Sequence, residues 1–465
     1  MKTQNLGYVI FLSVVAAIGG FLFGYDTAVI SGTIRQVSEQ FALNSMQTGW
    51  FVGCALTGSI FGVSIGGMLS DYFGRKKTML LSAVLFTVSA VGCAIAEGFA
   101  PLVVYRIIGG VGIGVVSIIS PMYISEVSMP KYRGSLVSLY QLAITVGFLG
   151  AYLVNYLLLD ISVSGYSPAG EMMSKIFVTE VWRAMFGAEA LPAALFFAVV
   201  FFIPESPRWL IVKNHELKAQ KILHRILRNE DEVQAQINDI RAMAHTETKS
   251  EWSLIFSPGI FRAVMIGVAI AILGQFMGVN AVLYYGPKIF EDSGLSSGDS
   301  LFYQVLVGLV NTITTVIALI IIDRVGRKQL VYWGVSAMVL SLLAIGFYFL
   351  KGADIGLSSI FLLAFFLFYI FACAISICAV IWVLLSEMYP TRVRGVAMSI
   401  AGFSLWIGTF LIGQLTPWML EKLTPAGTFF LFALMCLPYM WIIWKKVPET
   451  AGKSLEEIER MWLKE

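Results

Sequence analysis

Long apolar runs alternate with short polar connections along the chain, and this pattern sets the predicted architecture. A bilayer-crossing helix needs about 20 mainly apolar residues. Twelve runs come close to that length: residues 8–30, 49–70, 79–96, 102–125, 136–159 and 182–203, then 263–285, 301–322, 330–350, 360–386, 396–417 and 428–444. The third is short; the tenth, with Phe361 to Tyr369 at its head, is long. The pattern changes over residues 204–258, where charges mix densely and all three histidines lie (His215, His224, His245). Asn214 could cap a helix through Leu227 that places Leu217, Leu223 and Leu227 on one face, and a second helix fits residues 232–242. We read this stretch as a cytoplasmic linker that either joins two halves or takes part in gating. The predicted organisation is an all-α membrane protein, with a six-helix bundle at 1–203, linker helices at 204–260, a second six-helix bundle at 261–446 and a cytoplasmic tail at 447–465.

Composition agrees with this class. The 465 residues are 58% hydrophobic and only 13% charged, where soluble proteins carry roughly 25% charged residues. The net charge of +3 carries no signal for nucleic acid. Basic residues concentrate on alternate connections: Arg75-Lys76-Lys77, Lys131 and Arg133, Arg324, Arg327 and Lys328, and Arg392 and Arg394. The opposite loops carry acids such as Glu291, Asp292 and Asp299. The positive-inside rule then puts both termini in the cytoplasm. The start of the chain lacks a small-residue cleavage site, which predicts a retained first helix and, as the simplest location, a bacterial inner membrane. The five cysteines all fall in apolar runs without ligand spacing, so they read as buried thiols rather than disulfides or a metal site.

The two halves repeat. Asp71-x-x-Gly74-Arg75-Lys76 recurs as Asp323-x-x-Gly326-Arg327-Lys328, Glu126 stands seven residues before Arg133 as Glu387 does before Arg394, and Pro204-Glu205 is matched by Pro448-Glu449. Three motifs in one order indicate a duplicated six-span unit, and parallel repeats of this kind hold substrate between the halves near mid-membrane. All these motifs fall at cytoplasmic helix ends. They could simply anchor those ends, or Asp71, Arg75, Glu126, Arg133, Asp323, Arg327, Glu387 and Arg394 could form an ion-pair gate that latches the inner side, with the Glu126, Arg133, Glu387 and Arg394 set locking the outward-open state.

Together with Pro204-Glu205-Ser206-Pro207-Arg208-Trp209-Leu210 and Pro448-Glu449-Thr450, these motifs resemble the sugar porter family of the major facilitator superfamily. The likeness covers nearly the whole chain, including Gly19 to Ile30 in the first run and Tyr105-Arg106-Ile107-Ile108-Gly109-Gly110 in the fourth. It implies a twelve-span alternating-access carrier.

Charges inside the apolar runs are few, and they point to a chemistry. Asp26 in the first run and Glu189 in the sixth are the two deep acids, and Arg106 in the fourth is the one deep base. A centrally placed Asp costs about 2.5–3.5 kcal/mol on insertion scales, so it is a functional candidate. On the predicted run boundaries, Asp26 is about one helical turn from its outer end, and Arg106 and Glu189 lie at similar depth. A nearby Arg106 would hold Asp26 as the anion; withdrawal of the arginine would let the carboxylate take a proton. The bland alternative is a static ion pair that fixes packing. The resemblance adds that proton-coupled family members carry acids at the Asp26 and Glu189 positions, while facilitative glucose carriers have an amide at the first.

Sugars need paired donors and acceptors together with apolar platforms. Mid-run side chains of that type are Phe23, Gln141, Gln275, Asn280, Tyr284, Asn311, Trp382 and Trp406. A buried amide can equally serve as helix–helix glue, but all eight match sugar-contacting positions of the family. Three positions depart from the family pattern. Gly274 stands where glutamine is usual, Cys378-Ala379 replaces Gly-Pro, and Leu405 replaces an amide. A less polar, reshaped pocket is expected, and with it a substrate that could be a pentose such as D-xylose, a hexose, or a polyol or inositol. The expected function is proton-coupled import of a monosaccharide by a protein working as a monomer in the bilayer. An uncoupled facilitator and a membrane sugar sensor are the other readings; the short tail speaks against a sensor. No cofactor is expected. Phosphate loop, metal cluster and nucleophile constellation are all missing from the sequence, so an enzyme is not expected either.

Overall fold

A computed structural model describes residues 5–129, 132–165, 170–246, 255–352, 354–389 and 393–447. It holds twelve helical spans long and apolar enough to cross a membrane, and no strand among the described residues. The spans are Leu6–Gln40, Ser45–Phe73, Arg75–Ile95, Phe99–Val127, Arg133–Val163 and Trp182–Val200, then Pro258–Asp292, Ser297–Ile322, Arg327–Gly352, Ser359–Leu385, Arg394–Lys422 and Thr424–Lys446. They are numbered 1 to 12 below.

Several helices outrun their apolar cores. Span 1 continues through Arg35 to Gln40, so Asp26 lies fourteen residues, or about 21 Å, from the helix end rather than one turn from it. Apolar runs report only the part of a helix that must avoid water, and polar turns beyond them stay helical.

Spans 6, 7 and 10 are interrupted along their length. Span 6 breaks between Trp182–Gly187 and Ala190–Val200. Pro192 has no N–H to offer the Ala188 carbonyl, which instead accepts from Leu191. Glu189 sits at this break. Span 7 divides into Pro258–Phe276 and Val279–Asp292 at Gly278, whose φ of 91° favours glycine. Span 10 passes through a π-turn at Ala374–Cys378 before continuing as Ala379–Met388. Cys373 and Cys378 flank that turn with their sulfurs 3.6 Å apart, and all five cysteines are free thiols.

The linker differs from its sequence reading. Asn214 does not cap a helix start. It takes φ 61°, which asparagine tolerates, just beyond the short helix Pro207–Val212. The next helix, Glu216–Leu227, starts after His215. It buries Ala219, Leu223, Ile226 and Leu227, while Leu217 stays exposed. The following helix is longer than expected, Glu230–Thr246.

The chain packs as two compact units. The first comprises Met1–Thr27, Thr57–Ala151 and Arg183–Ser250; the second comprises Ala28–Leu56, Tyr152–Trp182 and Glu251–Glu465. Within the first, spans 1 and 5 cross closely: a β-carbon at Gly24 would fall 2.0 Å from the Ile144 carbonyl oxygen, and one at Gly147 would fall 2.1 Å from that of Phe21. The second unit thus takes in the far ends of spans 1, 2 and 5. There Arg35 reaches Glu291 at 3.4 Å and Ser297 at 2.8 Å, the Asn155 amide donates to the Val29 carbonyl, and Tyr152 donates to the Leu283 carbonyl.

Candidate functional site

The close crossing of spans 1 and 5 holds the segment carrying Asp26. Asp26 is fully buried and Arg106 keeps only 2% of its surface. Arg106 Nη1 donates to Asp26 Oδ1, and Nη2 reaches the Asp26 backbone carbonyl at 3.3 Å. The guanidinium also stands over the Phe186 ring, 5.1 Å from its centroid, a favourable cation–π placement. Gly109, one turn after Arg106, makes room for the carboxylate. A β-carbon there would lie 2.8 Å from Asp26 Oδ2 and 2.5 Å from Ser89 Oγ.

Glu189, 1% exposed, faces this pair electrostatically: Asp26 repels its charge and Arg106 attracts it. Asp26 Oδ2 and Glu189 Oε1 are both buried without a hydrogen-bond partner among the described residues, as is the Tyr25 hydroxyl. Two negative charges beside one positive charge in a dry site are costly. Cys93, Tyr25 and Phe186 belong to the cluster as well, and sequence reasoning passed over all three because such residues are common in apolar helices. A second buried arginine, Arg183, lies at the edge of span 6. It donates to the Ala94 and Ala96 carbonyls at 3.1 and 2.7 Å and so closes the end of span 3.

The polar side chains of the second unit form a separate network. Gln275 Oε1 accepts from Asn280 Nδ2 at 2.7 Å and from Thr409 Oγ1 at 3.1 Å. The break at Gly278 brings Asn280 back toward Gln275, and Gly408 gives Gln275 room, with a β-carbon there only 3.1 Å from its Cγ. Thr409 carried no sequence signal. Tyr284, Asn311 and Trp406 are buried, while Trp382 is exposed and packs over Gly402 of span 11. Phe23 and Gln141 belong to the first unit, each half-buried. A side chain at Gly274 would point at Ile377, Ile381 and Tyr439, with the nearest atom 3.6 Å away. The glycine therefore faces an apolar wall and not the amide network.

The repeated motifs at the basic helix ends build matching clusters. Arg75 makes two parallel bonds to Glu126, at 3.0 and 2.9 Å, a third to Asp71 at 3.3 Å and a fourth to the Ser70 carbonyl. Arg327 bonds Glu387 at 3.0 Å and the Ile322 carbonyl at 3.3 Å. Both glutamates thus pair with the arginine at the start of the preceding span, not with the arginine seven residues on. Consecutive spans are antiparallel, which puts the end of span 4 beside the start of span 3. Arg133 is exposed with no ion pair among the described residues, and Arg394 donates to the Tyr389 carbonyl. The side chain of Asp323 lies outside the described residues, as does Glu449. Lys76 closes the end of span 6 through the Phe201 carbonyl, and Lys328 closes span 12 through those of Trp444 and Val447.

Glu205 accepts from the backbone N–H groups of Arg75 and Lys76 at 2.8 and 3.1 Å and so caps span 3 from a distant part of the chain. Burial pushes its carboxyl above the usual range, and the N–H bonds of Ser206, Lys76 and Arg75 partly offset this.

Twelve spans in two motif-linked halves, with an isolated buried charge cluster and a mid-span amide network, define a membrane transporter of the major facilitator fold. The family described as "Sugar (and other) transporter" matches residues 12–462, and the chain belongs to it. It is 37% identical over 463 residues to the arabinose-proton symporter of Bacillus subtilis (strain 168), covering 100% of this chain and 97% of that one. It is 36% identical over 496 residues to the D-xylose-proton symporter of Escherichia coli (strain K12), covering 99% and 97%. Among solved structures, the inward-open conformation of the E. coli xylose transporter superposes with a TM-score of 0.84 at 34% identity, covering 98% of this chain and 100% of that one.

Proposed function

We propose that this protein imports a monosaccharide together with a proton, that Asp26 carries the proton, that Arg106 is its switch, and that Glu189 is an accessory acid. The observation that carries the reading is the buried Asp26–Arg106 pair with Glu189 beside it, both acids retaining an unbonded oxygen. A packing ion pair needs no second buried acid near it. A proton relay does, because charge must be exchanged as the arginine changes partner. The two symporters named above support the coupling, and their substrates favour a pentose. Gln275, Asn280 and Tyr284, with Asn311, Trp382 and Trp406, supply the sugar contacts of the second unit; Phe23 and Gln141 supply those of the first. The apolar wall at Gly274, with Cys378 and Leu405, prompts as a second reading a polyol or inositol.

The basic helix ends face the cytoplasm in this reading, as do both termini, in a bacterial inner membrane. The Arg75–Glu126 and Arg327–Glu387 pairs are the latches of the inner gate, and Arg133 and Arg394 join them in the outward-open state. The test is uptake by purified protein in proteoliposomes, with and without an inward proton gradient, across D-xylose, L-arabinose, D-glucose and myo-inositol. Gradient-driven accumulation of one of these is expected. Uptake of all four that never exceeds equilibrium would rule out coupling.

A further inference from the structure

A cleft of about 710 Å³ opens in the first unit, at the basic end of spans 2, 3 and 6 and against the linker helices. None of its lining residues belongs to the charge cluster or the amide network, and nothing in the transport reading uses it. Its lining is strongly one-signed. Lys76 and Lys77 come from the start of span 3, and Lys218, Lys221 and Arg225 from the linker helix Glu216–Leu227. The last three are spaced to share one helical face. Glu205 is the one carboxylate of the lining, and its oxygens already accept backbone N–H groups at the start of span 3. Lys76 is directed at the Phe201 carbonyl. The other four bases have no ion-pair partner among the described residues; the nearby Glu216 pairs with Arg241 instead.

Four uncompensated cations around one cavity repel one another, and an anion relieves that repulsion. The cavity is large enough for a small ligand. Its other wall is apolar and aromatic, with Phe73, Leu80, Phe201, Trp209 and Ile222. Beside it the chain exposes Tyr72 and Phe202, at 74% and 76%, the kind of aromatic side chain found where a helix leaves the hydrocarbon. Cations and aromatics at one membrane boundary match a phosphate ester carrying a less polar group, as in basic lipid-headgroup pockets between helices.

We propose that this cleft binds a phosphate ester, with Lys77, Lys218, Lys221 and Arg225 on the phosphate and Trp209 and Phe201 against the organic part. The phosphate could belong to an anionic phospholipid headgroup or to a soluble sugar phosphate, which share this chemistry. The apolar wall and the exposed aromatics favour the lipid.

Native mass spectrometry on delipidated, detergent-purified protein tests this without any transport step. The probes are phosphatidylglycerol, phosphatidylcholine and glucose 6-phosphate. The variant is Lys218→Gln/Lys221→Gln/Arg225→Gln, which changes only exposed side chains on the cleft-lining face of a linker helix. The control removes equal charge elsewhere, as Lys351→Gln/Lys422→Gln/Lys445→Gln. Phosphatidylglycerol is expected to bind at least about tenfold tighter than phosphatidylcholine, with the preference lost in the variant and kept in the control. Glucose 6-phosphate binding that the variant abolishes, without a lipid preference, would assign the site to the soluble ester. No preference between lipids together with no sugar phosphate binding, or an equal loss in variant and control, overturns the proposal.

Discussion

The two halves share a scaffold and differ at mid-membrane. At the basic helix ends the same parts recur: an arginine paired to a glutamate, the same arginine bonded to a carbonyl five residues back, and a lysine closing the sixth helix of its half. Deeper in, the first half buries Asp26, Arg106 and Glu189, whereas the second holds the neutral network of Gln275, Asn280 and Thr409. Duplication thus kept the parts that hold helix ends together and let the interior diverge. A charge that must be exchanged needs a dry site with few competing partners. A sugar hydroxyl needs donors and acceptors that do not ionise. On the proposed reading the proton chemistry lies in the first half and most of the sugar contacts in the second, so each can be altered without removing the other.

The largest test of that separation is Asp26→Asn. The amide keeps shape and one acceptor but cannot take up a proton. Concentrative uptake should fall to the equilibrium ratio, losing the roughly 40-fold gradient that ~2.3 kcal/mol per 100 mV can sustain. Sugar exchange across loaded vesicles should persist. Loss of both would make the pair structural and collapse the comparison.

The scaffold can be compared half against half. Arg75 and Glu126 retain 9% and 7% of their side-chain surface, while Arg327 and Glu387 retain 12% and 23%. Breaking the more buried pair strands a carboxylate out of water. Arg75→Gln should cost about 3–5 kcal/mol, and Arg327→Gln about 1–2 kcal/mol, since water can reach Glu387. Denaturation midpoints of the purified variants decide this; equal losses would mean that burial does not distinguish the repeats.

Gln275→Ala probes the amide side. It removes the acceptor shared by Asn280 and Thr409 and should weaken sugar binding by about 1–2 kcal/mol, a rise in KM of roughly 5- to 30-fold. The stimulation of uptake by a proton gradient should be unchanged. If the gradient effect falls in step with affinity, the two chemistries are not separate.

These tests rest on residues of uneven legibility. Asp26, Arg106 and Glu189 stand out in sequence because an ionisable group in an apolar run is rare and costly. The twelve spans are legible for the same reason in reverse. Thr409, Cys93 and Tyr25 carry no such signal, since small hydroxyls, thiols and phenols fit apolar helices anywhere. The break beside Glu189 was readable from Pro192 but needs the local hydrogen bonding to become a structural statement. The partner of Glu126 was hidden for another reason. The repeated spacing marked Glu126 and Arg133 as members of one gate without naming a partner for Glu126, and antiparallel packing of spans 3 and 4 supplies Arg75 from 51 residues away.

The smallest effect concerns Glu205, where the first half ties its scaffold to the linker. Burial raises its carboxyl in the folded protein above the unfolded value, despite the N–H bonds it accepts. The folded state therefore binds this proton more tightly than the unfolded state does. Its contribution to stability is fullest below the unfolded pKa of about 4.3 and is lost as pH rises through the raised folded value. Glu205→Gln keeps a neutral acceptor for the Arg75 and Lys76 N–H groups and removes the titration. Its thermal midpoint, followed from acid to neutral pH, should decline less with rising pH than that of the parent protein. The same pH series on Arg327→Gln, which leaves Glu205 and its partners intact, should retain the parent slope. An unchanged slope in Glu205→Gln would show that the remote cap of span 3 is not a titrating part of the scaffold.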